Sequence, residues 1–210
     1  KKVCSHSVNQ VRVAQIGVGY WGPNLLRNLM SCPRFHVTKV VEQADQRREF
    51  VRDSYPEVEV SGDIKSVLDD TEIDAVVIAT PVATHYDLAS QALQAGKHVL
   101  VEKPMATSPE EVRQIGRTAA DKDLVAMVGH TFIYNPAVRY VKKIIDSGEL
   151  GDIRYIYSQR VNLGRIREDV DALWNLAPHD LSIIQYWLDD LTPVSVSRNG
   201  MDFVQKGIDD

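Results

Sequence analysis

Several residues in this chain have types and spacings that could carry chemistry. The first group is Gly17-Val18-Gly19-Tyr20-Trp21-Gly22, a G-x-G-x-x-G string between an apolar run, Val11–Ile16, and a helix-like stretch from Pro23. In a strand–turn–helix setting such a string binds a dinucleotide. Gly17 permits the sharp turn off the strand, and Gly19 lets backbone N–H groups approach a pyrophosphate. Gly22 lets the helix pack closely on the sheet. The helix N-terminus then offers unpaired donors and partial positive charge to the phosphates. The alternative is a glycine turn that holds no ligand.

Glu42 ends the second apolar run, about 20 residues past the glycine turn, where an acid accepts bonds from adenosine ribose hydroxyls and repels a 2′-phosphate. That favours NAD over NADP, with Arg47 and Arg48 close enough in sequence to soften the preference; the alternative is a solvated strand-end acid. Thr80-Pro81 follows a buried strand at the end where ligands bind in open α/β sheets. Thr80 either contacts the nicotinamide half of a cofactor or caps the helix that carries His85. In Glu102-Lys103-Pro104, the proline biases Lys103 toward an extended backbone at a strand tip. There a lysine can stabilise a substrate oxygen as it becomes alkoxide-like; elsewhere it is an ordinary surface lysine.

His179 lies in Trp174-Asn175-Leu176-Ala177-Pro178-His179-Asp180. An imidazole titrates near neutral pH and suits proton removal from an alcohol. Asn175, four residues earlier, shares a helical face and can orient the ring. Arg160, Arg165 and Arg167, with Asn162, form a polar-cationic group: either a solvated loop or an anchor for a nucleotide diphosphate or sugar carboxylate. His6, His36, His98 and His130 have no comparable setting and read as structural.

The elements that must position these residues follow from the pattern. The 210 residues are 44% hydrophobic and 25% charged, with net charge −5. Those proportions describe a globular chain with no general basic footprint for nucleic acid. No apolar run nears the length of a membrane span, and residues 1–10 lack an apolar signal-peptide core. Cys4 and Cys32 stand without metal-ligand spacing, as in a reducing cytoplasm. Strands are expected at 11–16, 35–41, 58–60, 75–79, 98–102 and 125–128. Helices are expected at 23–31, 45–54, 64–68, 84–95 and from Ser108-Pro109. Alternating strands and helices imply an α/β doubly wound parallel sheet. The expected organisation is a tail at 1–10, a dinucleotide-binding domain at 11–130 and a second domain at 131–210. In the second part, helices are expected at 135–147 and 178–188. A long strand at 153–161 and shorter ones at 194–196 and 201–204 complete the pattern.

The glycine turn, Ala79-Thr80-Pro81, Glu102-Lys103-Pro104 and the 174–180 segment stand in one order and spacing. In these the chain resembles the glucose–fructose oxidoreductase / inositol dehydrogenase (Gfo/Idh/MocA) family of NAD(P)-dependent oxidoreductases over residues 10–205. The resemblance implies a Rossmann domain followed by an α+β domain whose open sheet covers the active site and mediates homo-oligomerisation. It implies Lys103 and His179 as the catalytic pair, with Asn175 beside them. Cofactor contacts are implied from Gly17, Gly19, Tyr20, Trp21, Gly22, Glu42, Thr80, Pro81, His85, Glu102 and Lys103. Substrate contacts are implied from Arg160, Asn162, Arg165, Arg167 and Trp174. The Gly-Tyr-Trp-Gly-Pro-Asn start looks most like members acting on nucleotide-activated amino sugars. That implies oxidation of a secondary hydroxyl, C3, of a UDP-linked N-acetylated sugar. The alternatives are a free sugar, an inositol, a sugar acid, or an NAD-binding module without turnover. The family pattern has aspartate where this chain has Asn175. Family members also continue beyond the last residue here, so the second domain is expected to be partial, with an unpaired sheet edge.

Overall fold

The computed structural model describes residues 10–161, 171–189 and 192–209. The chain divides into two compact units between Gly129 and His130.

The first unit is built on one parallel sheet. Its strands are β1 (Val11–Ile16), β2 (Phe35–Val41), β3 (Glu59–Ser61), β4 (Ala75–Ile78), β5 (His98–Val101) and β6 (Ala126–Val128). Their order across the sheet is β3-β2-β1-β4-β5-β6, every neighbouring pair parallel. Between them run α1 (Gly22–Ser31), α2 (Asp45–Ser54), α3 (Lys65–Leu68), α4 (His85–Gln94) and α5 (Pro109–Asp121). The order reverses between β1 and β4, which opens a crevice at the carboxyl ends of those strands.

Side-chain alternation explains the layers. Val13 and Val77 join Leu26, Leu29 and Val51 from α1 and α2 in one core. Ala14, Ile16, Val76 and Ile78 join Val67, Leu93 and Ile115 from α3, α4 and α5 in another. Successive strand residues point to opposite faces, so each central strand feeds both cores and reads as a continuous apolar run. Local signals set the helix ends. Ser108 and Glu111 form a reciprocal capping box on α5, and Gly96, at φ +78, follows the C-cap of α4.

The expected elements of this unit appear with small shifts of boundary. The third strand lies at Glu59–Ser61, and a short 3-10 turn, Val82–Thr84, precedes α4.

The second unit opens with a 3-10 turn, Thr131–Tyr134, and contains α6 (Pro136–Asp146) and α7 (Ala172–Leu188). Asn135 caps α6 by accepting the Ala137 N–H at 2.8 Å. Asp171 caps α7 by accepting the Trp174 N–H at 2.8 Å. The Trp187 indole donates to Val138 O at 2.9 Å, tying the two helices. Two expectations are corrected here. Pro178 lies inside α7 and does not begin it; the ring removes one backbone donor, and the Asp171 cap sets the start a turn and a half earlier. Residues 153–161, 194–196 and 201–204 are not strands, and the described residues of this unit contain only one antiparallel bridge, Gln205–Ile208. A strand exists only against a hydrogen-bonding neighbour, and Tyr155, Tyr157 and Val161 stand exposed without one.

Candidate cofactor and catalytic site

β1 leads directly into Gly17, whose φ of +91 is open to glycine at no steric penalty. A Cβ on Gly17 would lie 2.6 Å from Ala79 O, and one on Gly22 would lie 2.5 Å from Gly17 O. The protein itself therefore requires glycine at both ends of the turn. Gly19 differs: a Cβ there would meet only Arg47 Nη1, at 3.4 Å. The space over Gly19 is the cradle that a close-approaching pyrophosphate requires. The N-cap residue of α1, Trp21, makes no side-chain cap, and the first turn carries no acid. Pro23 brings no N–H and the Asn24 N–H already donates to Trp21 O at 3.0 Å, so what this helix end can offer an anion is chiefly its dipole. These features fit a dinucleotide.

Two side chains hold the turn. Gln15, fully buried in β1, donates through Nε2 to Gly17 O and Gly22 O, each at 2.9 Å. The sequence reading passed over it, although a glutamine within an apolar strand two residues before the turn was the available signal. Glu42 accepts the Val18 N–H at 2.8 Å and the Ala44 N–H at 3.0 Å. Being 7% exposed, it is no solvated strand-end acid. Arg47 approaches it at 4.0 Å. Arg48 Nη1 donates to Glu42 O and Gln43 O, both at 2.7 Å.

The turns after β4 and β5 form the other half of the crevice. The Thr80 hydroxyl bonds with that of Thr84 at 2.7 Å, and the N-cap position of α4 is held by Thr84 and not by Thr80. His85 is 1% exposed, with Nδ1 2.7 Å from Pro104 O and Nε2 2.9 Å from Thr80 O. Both ring nitrogens of His85, expected to contact a cofactor, therefore face the protein's own carbonyls. Lys103 is half-buried at the end of β5, before a cis peptide to Pro104. Its N–H donates to Glu102 Oε2 at 3.1 Å. Glu102 lies against Gly129, where a Cβ would sit 3.2 Å from Oε1. Burial pushes the Glu102 carboxyl above its ordinary value. The Lys103 N–H bond, the Lys103 and His85 charges and a bond from Trp21 oppose that shift.

In the second unit, Asn175 and His179 occupy one face of α7. The Phe132 ring lies 4.7 Å from the His179 ring, and the Arg160 guanidinium stacks over the other residue, Phe132, at 4.8 Å. Arg160 is also a fork onto Asp180, Nε to Oδ2 at 2.7 Å and Nη2 to Oδ1 at 3.0 Å. The Arg160 bonds hold the Asp180 carboxyl below its ordinary range against the opposing effect of burial. The guanidinium expected to meet substrate thus already grips a carboxylate. Sequence reasoning missed Phe132 and Asp180, although an acid adjoining His179 was visible. Trp174 is half exposed near the start of α7. Asn162, Arg165 and Arg167 lie outside the described residues.

Residues 11–130 match the model of an oxidoreductase family with an NAD-binding Rossmann fold, Gfo/Idh/MocA. The chain belongs to this family. It is 30% identical over 168 residues to the scyllo-inositol 2-dehydrogenase (NADP(+)) IolW of Bacillus subtilis strain 168, covering 80% of this chain and 45% of that protein. It is 30% identical over 200 residues to the UDP-N-acetylglucosamine 3-dehydrogenase of Acidithiobacillus ferrooxidans, covering 91% and 58%. Among solved structures it resembles GenD2 from gentamicin A biosynthesis in complex with NAD, at TM-score 0.76 and 26% identity, covering 88% and 55%. The chain spans about half the length of the curated relatives it matches. No helix among the described residues is long and apolar enough to cross a membrane.

Proposed function

We propose that this chain is the cofactor-binding part, with a portion of the substrate domain, of an NAD-dependent dehydrogenase acting on a secondary hydroxyl of a sugar or cyclic polyol. The observation that carries the reading is the Gly17–Gly22 turn. Its outer glycines are required by the protein, and its middle glycine opens onto space over an uncapped helix N-terminus. Gly17, Gly19, Tyr20, Trp21 and Gly22 hold the pyrophosphate, Glu42 faces the adenosine ribose, and Thr80, Pro81, Glu102 and Lys103 flank the nicotinamide half. When bound, NAD supplies the hydride acceptor. His179 takes the hydroxyl proton, with Asn175 on the same helical face orienting its ring. Lys103 stabilises the negative charge that develops on the substrate oxygen.

The finer reading is the C3 hydroxyl of a UDP-linked N-acetylated sugar, in the cytoplasm and in a homo-oligomer, with Asn162, Arg165 and Arg167 meeting the diphosphate and Trp174 the sugar. Similarity to a UDP-N-acetylglucosamine 3-dehydrogenase supports it. Similarity to a scyllo-inositol 2-dehydrogenase supports a free cyclic polyol instead. The test is NAD+ reduction followed by absorbance, with UDP-N-acetylated sugars, free sugars, sugar acids and inositols as substrates. Turnover with the UDP-sugars alone supports the finer reading, turnover with inositols alone replaces it, and NAD+ binding with no turnover leaves a binding module.

A further inference from the structure

His85 is a buried titratable residue that binding and catalysis leave without a role. It opens α4 immediately after the 3-10 turn, with both ring nitrogens facing carbonyls: Nδ1 lies 2.7 Å from Pro104 O and Nε2 2.9 Å from Thr80 O. A carbonyl only accepts, so the ring donates through whichever nitrogen carries a proton. Thr80 follows β4 and Pro104 follows β5, two strands paired in register through Ile78 and Val101. One side chain therefore ties the two turns that end neighbouring strands.

The sheet order places these turns. Glu42 ends β2 on one side of β1, while β4 and β5 lie on the other. A dinucleotide laid across the β1 turn puts its adenosine half over β2 and its nicotinamide half over β4 and β5.

We propose that His85 is a positioning residue that, by bridging Pro104 O and Thr80 O, sets the spacing between the Thr80 turn and the Lys103-Pro104 turn and so shapes the nicotinamide half of the crevice without touching the cofactor. This rests on the dinucleotide reading of that crevice. It separates two kinds of ligand: NAD+ uses both halves of the site, whereas ADP-ribose lacks the nicotinamide.

The experiment uses the full chain. Affinities for NAD+ and ADP-ribose are measured by titration for the wild type, His85→Leu and His85→Gln, and the wild-type ring is observed by nitrogen-resolved NMR with labelled histidine. The expected result is a protected ring N–H signal for His85. With it, His85→Leu weakens NAD+ binding about tenfold and leaves ADP-ribose within about twofold. His85→Gln, which keeps an amide donor, recovers part of the loss and serves where His85→Leu does not fold. The absence of any protected ring N–H overturns the inference. So does an equal loss of both ligands, which marks a purely structural residue, or a loss of neither. Failure of the wild type to bind either ligand overturns the dinucleotide reading instead, and the NMR spectrum still decides whether the ring donates.

Discussion

The Val18 amide donates to Glu42 Oε2 at 2.8 Å, so the acid that ends β2 holds the turn that ends β1. The same carboxylate accepts the Ala44 N–H ahead of α2 at 3.0 Å. Glu42 is therefore part of the scaffold before it meets any ribose. Glu42→Ala leaves two N–H groups without their acceptor and is expected to lower stability by about 1–3 kcal/mol in chemical denaturation. Glu42→Gln keeps one acceptor oxygen and is expected to recover part of that loss. An unchanged midpoint in the alanine variant would show that the carboxylate holds neither group.

Gly22 and Gly19 are expected to respond differently to alanine. Gly22→Ala drives a methyl group against Gly17 O and is expected to lower stability by about 1–3 kcal/mol. Gly19→Ala has room within the protein and is expected to keep stability within about 0.5 kcal/mol. It still weakens NAD+ binding by about tenfold or more, because the methyl fills the pyrophosphate cradle. Thermal melts and NAD+ titrations read the two effects separately. Equal NAD+ affinity in Gly19→Ala and the wild type would remove the cradle.

Lys103→Ala is expected to reduce turnover about a hundredfold or more, with NAD+ affinity little changed, in line with losses on removing a proton-transfer or charge-stabilising group. Steady-state rates beside cofactor titrations check it. Unchanged turnover would take Lys103 out of the mechanism.

Burial holds the Glu102 carboxyl above its ordinary value of 4.5. Its protonated form is favoured in the folded state, so its contribution to stability is full below 4.5 and is lost as pH rises through the raised folded value. Glu102→Gln mimics the neutral form. The variant is expected to melt higher than the wild type at pH 7 and at the same temperature below pH 4.5. A difference that does not vary with pH would contradict the burial argument.

Arg160 and Asp180 give the opposite sign. Arg160 holds Asp180 below its ordinary value of 3.8, so the pair stabilises the fold above that value and loses its effect as pH falls through the lower folded value. Arg160→Gln is expected to lower stability at pH 7 by up to about 1 kcal/mol, the pair being partly exposed, and by less in strong acid. Because Arg160 stacks on Phe132, which packs on His179, the variant is also expected to lower kcat more than it raises KM for a UDP-sugar. The reverse pattern would support Arg160 as a substrate anchor.

The Rossmann part was largely legible from the residues. Apolar runs of strand length, amphipathic runs between them and glycine at helix ends are local signals, each acting over a few residues. The parallel sheet, the glycine turn and the Ser108 cap follow from them. Pro178 misled because proline marks helix starts more often than interiors. Here the Asp171 cap lies upstream, and α7 runs through the ring. Residues 153–161 misled because alternation and aromatic content describe a surface that suits a strand, whereas a strand also needs a partner.

By itself the sequence determined the fold class, the dinucleotide turn and the places of Lys103 and His179 along the chain, because periodicity, glycine freedom and strand ends are written in neighbouring residues. Only the tertiary structure decided what the side chains of the site hold. Gln15 grips the turn it precedes, Glu42 braces it from the next strand, His85 joins two turns, and Arg160 pairs with Asp180. Except for Gln15 and the His85–Thr80 contact, these partners are separated in sequence and meet only once the sheet and helices have packed. Composition and spacing identify the groups that can bond, and packing selects which of them do.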